Sequence, residues 1–186
     1  MKKKVWIVIV ALVVIACGYC WTTYNSLVKL GQGVETAWAN VETQYQRRAD
    51  LIPNLVSTVK GYAKHEQETL DQVVEARAKA LAGGANIEEY AAAQQQVTTA
   101  LGRLIAISEN YPDLKANTNF LELQAQLEGT ENRIAVARNN YNEIVKVYNT
   151  KTATFPSNLI AKMFGFDKKQ LFAASEGAEK APEVAF

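Results

Sequence analysis

The residues with reactive side chains are few. Cys17 and Cys20 have the Cys-x-x-Cys spacing of redox pairs, but they lie inside an apolar run, whereas such pairs work from a helix start in a soluble domain. The single histidine, His65, has no second histidine or nearby cysteine with which to bind a transition metal. Ser57 and Ser108 have no nucleophile motif around them. We therefore predict no catalytic residue, no cofactor and no metal site.

Some polar residues stand out because they interrupt or flank apolar helix faces. Arg48 falls between Tyr45 and Ile52 at helical spacing, so it lies on the same apolar face. A buried charge needs a partner, which predicts hydrogen bonds between helices that fix their register. The alternative is a docking patch for another protein. The candidates for either role are Arg47, Arg48, Asp50, Glu131, Asn132 and Arg133.

Bulk composition narrows the class of protein. The 186 residues hold 20 lysines and arginines against 19 acidic residues, a net charge of +1. Nucleic-acid binders concentrate basic charge, so we expect no nucleic acid as partner. With 48% hydrophobic residues the chain is typical of a packed protein rather than a disordered one.

The amino terminus carries a membrane-type segment. Three lysines precede residues 5–20, which are almost entirely apolar, and Trp6 and Trp21 stand where interfacial aromatic belts occur. About 18 residues as helix extend roughly 27 Å, close to the hydrocarbon thickness of a bilayer. We predict a membrane anchor over residues 1–23 and a single-pass protein of the bacterial cell envelope.

Orientation and processing of this anchor are separate predictions. Three lysines, Lys2, Lys3 and Lys4, precede the span, whereas about 20 residues after it contain only Lys29. The positive-inside rule therefore predicts an extracytoplasmic domain. Residues 14–18 also fit a lipobox, in which the chain would be cleaved before Cys17 and Cys17 would be acylated. An uncleaved transmembrane helix and a lipoprotein signal both stay open, and either would tether the domain to the bilayer.

The remaining chain has the periodicity of packed helices. Apolar residues recur at alternating steps of three and four, a 3.5-residue period typical of bundles and coiled coils. This predicts an all-α protein in which the anchor is followed by an up-and-down antiparallel four-helix bundle over residues 24–172. The longest such series is Phe120, Leu123, Leu127, Thr130, Ile134, Ala137, Tyr141, Ile144, Tyr148, Thr152 and Phe155.

Local signals predict where the helices end. Gly83 and Gly84 favour a helix C-terminus, and Asn86 with Glu89 forms a capping pair for the next helix. Pro112 then terminates that helix, because the residue before proline avoids the α region. Either Asp113, or Asn119 paired with Glu122, is expected to cap the following helix.

Residues 47–53 admit two interpretations. One is a kinked helix that continues to residue 82. The other is a hairpin, with Asp50 as N-cap and Pro53 in the first turn of a new helix. We favour the hairpin, because it divides the chain into helices of better-matched length.

The C-terminal region contains one further amphipathic element. Residues 155–166 predict a short helix stopped by Gly165, which either closes the bundle or contacts the membrane surface. Residues 173–186 are small, charged and interrupted by glycine and proline, which predicts a mobile tail.

Several of these stretches resemble the LemA family. They are residues 24–28 (YNSLV), 37–41 (AWANV), 47–56 (RRADLIPNLV), 60–66 (KGYAKHE), 111–117 (YPDLKAN), 130–134 (TENRI) and 155–159 (FPSNL). The resemblance implies a membrane segment followed by a four-helix bundle, with no established enzymatic activity or cofactor. It also implies an amino terminus outside the cell. The lysines before the span predict the opposite orientation, and we favour that prediction.

These observations favour a function in binding rather than catalysis. We expect a scaffold or adaptor that engages unidentified membrane or envelope proteins, alone or as a homo-oligomer. The alternative is a membrane-organising or membrane-remodelling protein that acts through its anchor and the amphipathic C-terminal segment.

Overall fold

The computed structural model of the protein describes residues 2–173. These residues form helices and connecting turns, with no strand among them, so the all-α prediction is confirmed. The helices are α1 (Lys2–Tyr62), α2 (Gln67–Ala82), α3 (Ile87–Ser108), α4 (Pro112–Lys115), α5 (Thr118–Ala153) and α6 (Ser157–Met163). The mobile tail predicted from residue 173 onward lies, apart from Ala173, outside the described residues.

The described chain divides into two compact units. The first contains residues 2–40 and 139–170, and the second contains residues 41–138 and 171–173. Both α1 and α5 contribute residues to each unit. The predicted division into an anchor, a single bundle domain and a tail stays a prediction.

The predicted boundary between α2 and α3 is confirmed. Gly83 follows the last residue of α2 with φ 77°, a conformation that costs glycine little because it has no Cβ. Asn86 caps α3, since its Oδ1 accepts the backbone N–H of Glu89 at 2.9 Å. Glu89 reaches back to the backbone N–H of Ala85 at 3.0 Å. The turn between the helices is therefore encoded locally.

The predicted caps of the long C-terminal helix are wrong. Pro112 begins the four-residue helix α4, so Asp113 lies inside that helix. The α5 helix begins at Thr118, and Asn117 Oδ1 accepts the backbone N–H of Phe120 at 3.0 Å. Asn119 therefore lies within the first turn of α5. The extra short helix displaced the boundary by two residues.

The hairpin predicted at residues 47–53 is also wrong. The α1 helix runs through this region with Pro53 in its interior, so Asp50 is not an N-cap. Proline lacks the N–H that would bond the carbonyl oxygen of Ala49, four residues earlier. Arg77 of α2 replaces that donor, because its Nε lies 2.7 Å from Ala49 O.

The continuous helix to residue 82 is equally absent, since α1 ends at Tyr62 and α2 begins at Gln67. Gly61, which has a low helix propensity, lies one residue before the end of α1. The chain therefore turns about ten residues later than the hairpin prediction placed it.

The second unit has an apolar core to which α1 through α5 all contribute. The buried side chains include Ile52, Leu55, Val59, Leu70, Val73, Val97, Leu101, Leu104, Leu114, Phe120 and Leu127. Phe120 and Leu127 belong to the apolar series that the 3.5-residue period predicted. Burial of such side chains stabilises a fold by about 1.5–3 kcal/mol each.

In the first unit, the early part of α1 packs along the late part of α5. The rings of Trp38 and Tyr141 meet edge to face with centroids 5.6 Å apart. Gly33 lies where a Cβ would contact Ile144 Cγ2 at 3.7 Å. Phe155, the last residue of the predicted apolar series, is 76% exposed, so its assignment to the core is wrong. The α5 helix ends at Ala153, and the helical period no longer applies beyond it.

Candidate functional site

Arg48 is the centre of a buried polar network in the second unit. Its side chain is only 2% exposed. Nη1 donates to Glu131 Oε1 at 2.6 Å and to Thr98 Oγ1 at 2.8 Å. Nη2 donates to both oxygens of Gln94, the side-chain Oε1 at 2.7 Å and the backbone O at 3.0 Å. Arg48 of α1 thus contacts both α3 and α5.

Aromatic rings close the network on one side. The guanidinium of Arg48 lies 5.1 Å from the centroid of the Tyr45 ring, within cation–π range. Tyr45 meets Tyr90 of α3 edge to face at 5.6 Å. Burial raises the pKa of Tyr45, although the nearby charges of Arg138 and Arg48 oppose this. Burial, reinforced by the carboxylate of Glu42, raises the pKa of Tyr90 to about 12. Both phenols are therefore neutral at physiological pH.

The other predicted polar residues are at the surface. Arg47, Asn132 and Arg133 are exposed, and each lies within two residues in sequence of a member of the Arg48–Glu131 ion pair. Asp50 is exposed as well, and its Oδ1 accepts a hydrogen bond from Gln46 Nε2 at 2.8 Å. The structure therefore separates the candidates into the buried arginine with its half-exposed partner Glu131, and an exposed group around them.

Within residues 2–173, residues suited to metal binding are not gathered. His65 is exposed in the turn between α1 and α2. Among residues 2–173, no three histidine, cysteine or acidic side chains lie together in a metal-binding arrangement. The geometry around Arg48 is that of a hydrogen-bonded joint, in which the guanidinium contacts α3 and α5 at once.

The amino-terminal part of α1 forms the other distinctive surface. By length and composition α1 is the one helix of the described chain that could cross a membrane, and none of its most apolar window is buried. Cys17 is exposed within it, whereas Cys20 is half-buried. The exposed apolar side chains include Val5, Trp6, Ile7, Val8, Val10, Leu12, Val13, Val14 and Ile15. A bare apolar surface of this length is expected of a helix surrounded by lipid.

Comparison with known proteins identifies the family. A sequence model of the LemA family matches residues 37–186. The chain belongs to the LemA family. It is 26% identical to Protein LemA of Metamycoplasma hominis, over 82% of this chain and 69% of that protein. It is 25% identical to the magnetosome protein MamQ 2 of Paramagnetospirillum magneticum and 24% to MamQ of Magnetospirillum gryphiswaldense.

The chain spans only part of the length of these relatives. The chain spans 64% of the length of each MamQ protein, with 80% of its own residues aligned. Membership of the LemA family and the exposed apolar segment of α1 together indicate a membrane-associated protein. Neither LemA nor MamQ is the name of an enzyme.

Three residues of the LemA-family chain that shape this region had no sequence signal of their own. Gln94 and Thr98 accept hydrogen bonds from Arg48, and their spacing of four places both on one face of α3. From the sequence, Arg77 is expected to be an ordinary surface cation of α2. Its bond to the Ala49 carbonyl becomes visible only when α2 is packed beside α1.

Proposed function

We propose that this LemA-family protein is a membrane-anchored scaffold or adaptor without catalytic activity. Its proposed partners are other proteins of the bacterial envelope, and its helices are proposed to form an up-and-down bundle. The Arg48 network carries the proposal, because it fixes α1 against α3 and α5 through four hydrogen bonds and leaves exposed polar side chains around the joint. Rigid presentation of side chains lowers the entropic cost of binding a partner.

The proposed docking surface is formed by Arg47 on α1 with Asn132 and Arg133 on α5. All three are exposed. Arg48 and Glu131 are in contact at 2.6 Å, so the residues that adjoin them in sequence lie at the same level of the two helices. Arginine is enriched at protein interfaces, since its planar guanidinium forms paired hydrogen bonds with carboxylates.

Site-specific photocrosslinking in native membranes tests this surface. A photoreactive amino acid at position 47 or 132 is expected to crosslink to an envelope protein. A matched probe at Glu122, which is exposed on the same helix α5 about 15 Å from position 132, is the control. Crosslinks of equal yield at all three positions, or at none, would contradict the proposed docking surface.

The domain is further proposed to be extracytoplasmic. Lys2, Lys3 and Lys4 lie directly before the apolar segment, and cationic residues near a span are retained in the cytoplasm. A C-terminal alkaline phosphatase fusion is expected to be active, because this enzyme folds only outside the cytoplasm. Activity of a cytoplasmic reporter at the same junction, with an inactive phosphatase, would reverse the assignment.

A further inference from the structure

The short helix α6 and the turn before it expose a row of apolar side chains. Leu159 and Met163 are four residues apart on α6, so they share a face, and they are 59% and 65% exposed. Phe155, in the turn that leads into α6, is exposed as well. We call Phe155, Leu159 and Met163 the apolar row. Its exposure does not reflect a loosely held element, because the opposite face of α6 is buried.

That buried face packs on α1 immediately after the apolar segment. Ile160 and Ala161 form a cluster with Leu27, against which Cys20 also packs. After α6, the rings of Phe164 and Phe166 contact Tyr24 edge to face, with centroids 4.9 and 5.7 Å from that of Tyr24. The contacts of α6 thus fall between residues 20 and 27 of α1, which covers about 10 Å of helix.

The register of α5 on α1 leads to the same place. Tyr141 contacts Trp38, and Tyr148 lies beside Gly31. The two helices are therefore antiparallel here, and seven residues further along α5 correspond to seven residues earlier on α1. Continued at that rate, the end of α5 at Ala153 meets α1 near residue 25. The headgroup layer of a bilayer extends about 5–8 Å beyond its hydrocarbon core on each side. The apolar row therefore lies within reach of that layer when residues 5–20 occupy the core.

The charges around the row suit an anionic lipid surface. Residues 151–170 contain four lysines and one aspartate, Asp167, which gives this segment a net charge of +3. The lysines are Lys151, Lys162, Lys168 and Lys169. The stretch around Lys169 is fixed on α5, since Asn149 Nδ2 donates to Lys169 O at 2.9 Å and Asn149 Oδ1 accepts from its backbone N–H at 2.9 Å. Apolar side chains beside lysines are the pattern of helices that lie in the membrane interface.

We propose that the apolar row inserts into the headgroup layer of the leaflet at the C-terminal end of the α1 span, as a second contact of the protein with the bilayer. The proposal rests on the membrane anchoring proposed above. Two contacts, one crossing the bilayer and one at its surface, restrict the tilt and rotation of the first unit relative to the membrane. A single span would leave both free.

Lipid quenching of the full chain tests the proposal. Single cysteines at Leu159, Met163 and Val136, in a background without the native cysteines, are labelled with a small fluorophore. The chain is placed at one copy per nanodisc of phosphatidylethanolamine and phosphatidylglycerol that carries quenchers at shallow acyl positions. Val136 is the matched control, because it is 69% exposed on α5 but about 26 Å before the end of that helix.

Quenching at positions 159 and 163 is expected to be several-fold stronger than at 136, with the reverse order for aqueous iodide. Equal lipid quenching at the three positions would overturn the proposal. Weak quenching by both lipid and iodide at 159 and 163 would also overturn it, since a second copy or another part of the chain would then cover the row. A fourth probe at Leu12 with a deep quencher monitors the span. If Leu12 is quenched and the row is not, the anchor stands and the surface contact fails. If Leu12 is not quenched, both fail.

Discussion

Replacing Arg48 by alanine is expected to destabilise the fold more than any other single arginine change near it. The substitution removes four hydrogen bonds with a charged donor and leaves their acceptors inside the second unit. Gln94 is buried, so loss of the donor to its Oε1 costs about 1–3 kcal/mol. Glu131 is 40% exposed, and water can therefore solvate it in part after the change.

These contributions set the expected magnitude. Removing one member of a buried ion pair typically costs about 3–5 kcal/mol, and the partial exposure of Glu131 favours the lower limit. We expect Arg48→Ala to lower the free energy of unfolding by about 3 kcal/mol. In urea, with a slope of about 1–3 kcal/mol per molar, the unfolding midpoint would then fall by about 1–3 M.

The assay is urea unfolding of the full chain in mild detergent, followed by far-UV circular dichroism. Arg47→Ala is the matched control, because Arg47 is exposed on the same helix and its loss should cost under about 1 kcal/mol. Arg48→Met keeps much of the side-chain volume, so it separates lost packing from lost hydrogen bonds. Small and equal effects of Arg48→Ala and Arg47→Ala would refute the reasoning and would favour both arginines as docking residues.

Three further predictions concern α1, the tyrosines and the anchor. Arg77→Ala should cost about 1.5–3 kcal/mol of stability in the native sequence. It should cost about 1 kcal/mol less in a Pro53→Ala background, because the backbone N–H of residue 53 can then bond the carbonyl of Ala49. A double-mutant cycle in urea that shows no coupling would contradict this. Because the pKa of Tyr90 is raised in the folded state, the phenol of Tyr90 loses its proton at a lower pH in the unfolded chain than in the folded one. Its contribution to the free energy of unfolding should be fully present below about pH 10 and should fall as the pH rises towards 12. Tyr90→Phe should flatten that alkaline decline, and an identical decline in the variant would argue against this cause. Intact-mass analysis of the membrane protein should show the chain starting at Met1 without an acyl group, as expected of an uncleaved anchor; a chain that begins at an acylated Cys17 would establish the lipoprotein alternative.

Local interactions made the sequence informative about helix class and about several boundaries. The 3.5-residue period places apolar side chains on one face of each helix, and the series predicted on α5 includes the buried Phe120, Leu127, Ile134, Tyr141 and Tyr148. The turn after α2 depends on Gly83 and on the Asn86–Glu89 pair, all within one or two helical turns. Signals of this kind act before any tertiary contact forms, so they can be predicted from the sequence.

The candidate site was predictable only in part. The position of Arg48 on an apolar face indicated burial and a need for partners, and its burial agrees with that prediction. Its actual partners are 46, 50 and 83 residues away along the chain, on α3 and α5. No periodicity links positions so far apart. The identity of Gln94 and Thr98 as acceptors therefore depended on how the helices pack.

The sequence by itself determined that the chain is helical, that its amino terminus is an apolar segment long enough to span a bilayer, and that α2 ends at the paired glycines. Tertiary structure alone decided that α1 continues through Pro53. Local rules favour a break there, because proline removes a backbone hydrogen bond. Arg77, 28 residues from Ala49 in the chain, supplies the missing donor once α2 lies beside α1. A side chain on a neighbouring helix can thus satisfy a backbone group that the local sequence leaves unpaired, and the course of α1 depends on that contact.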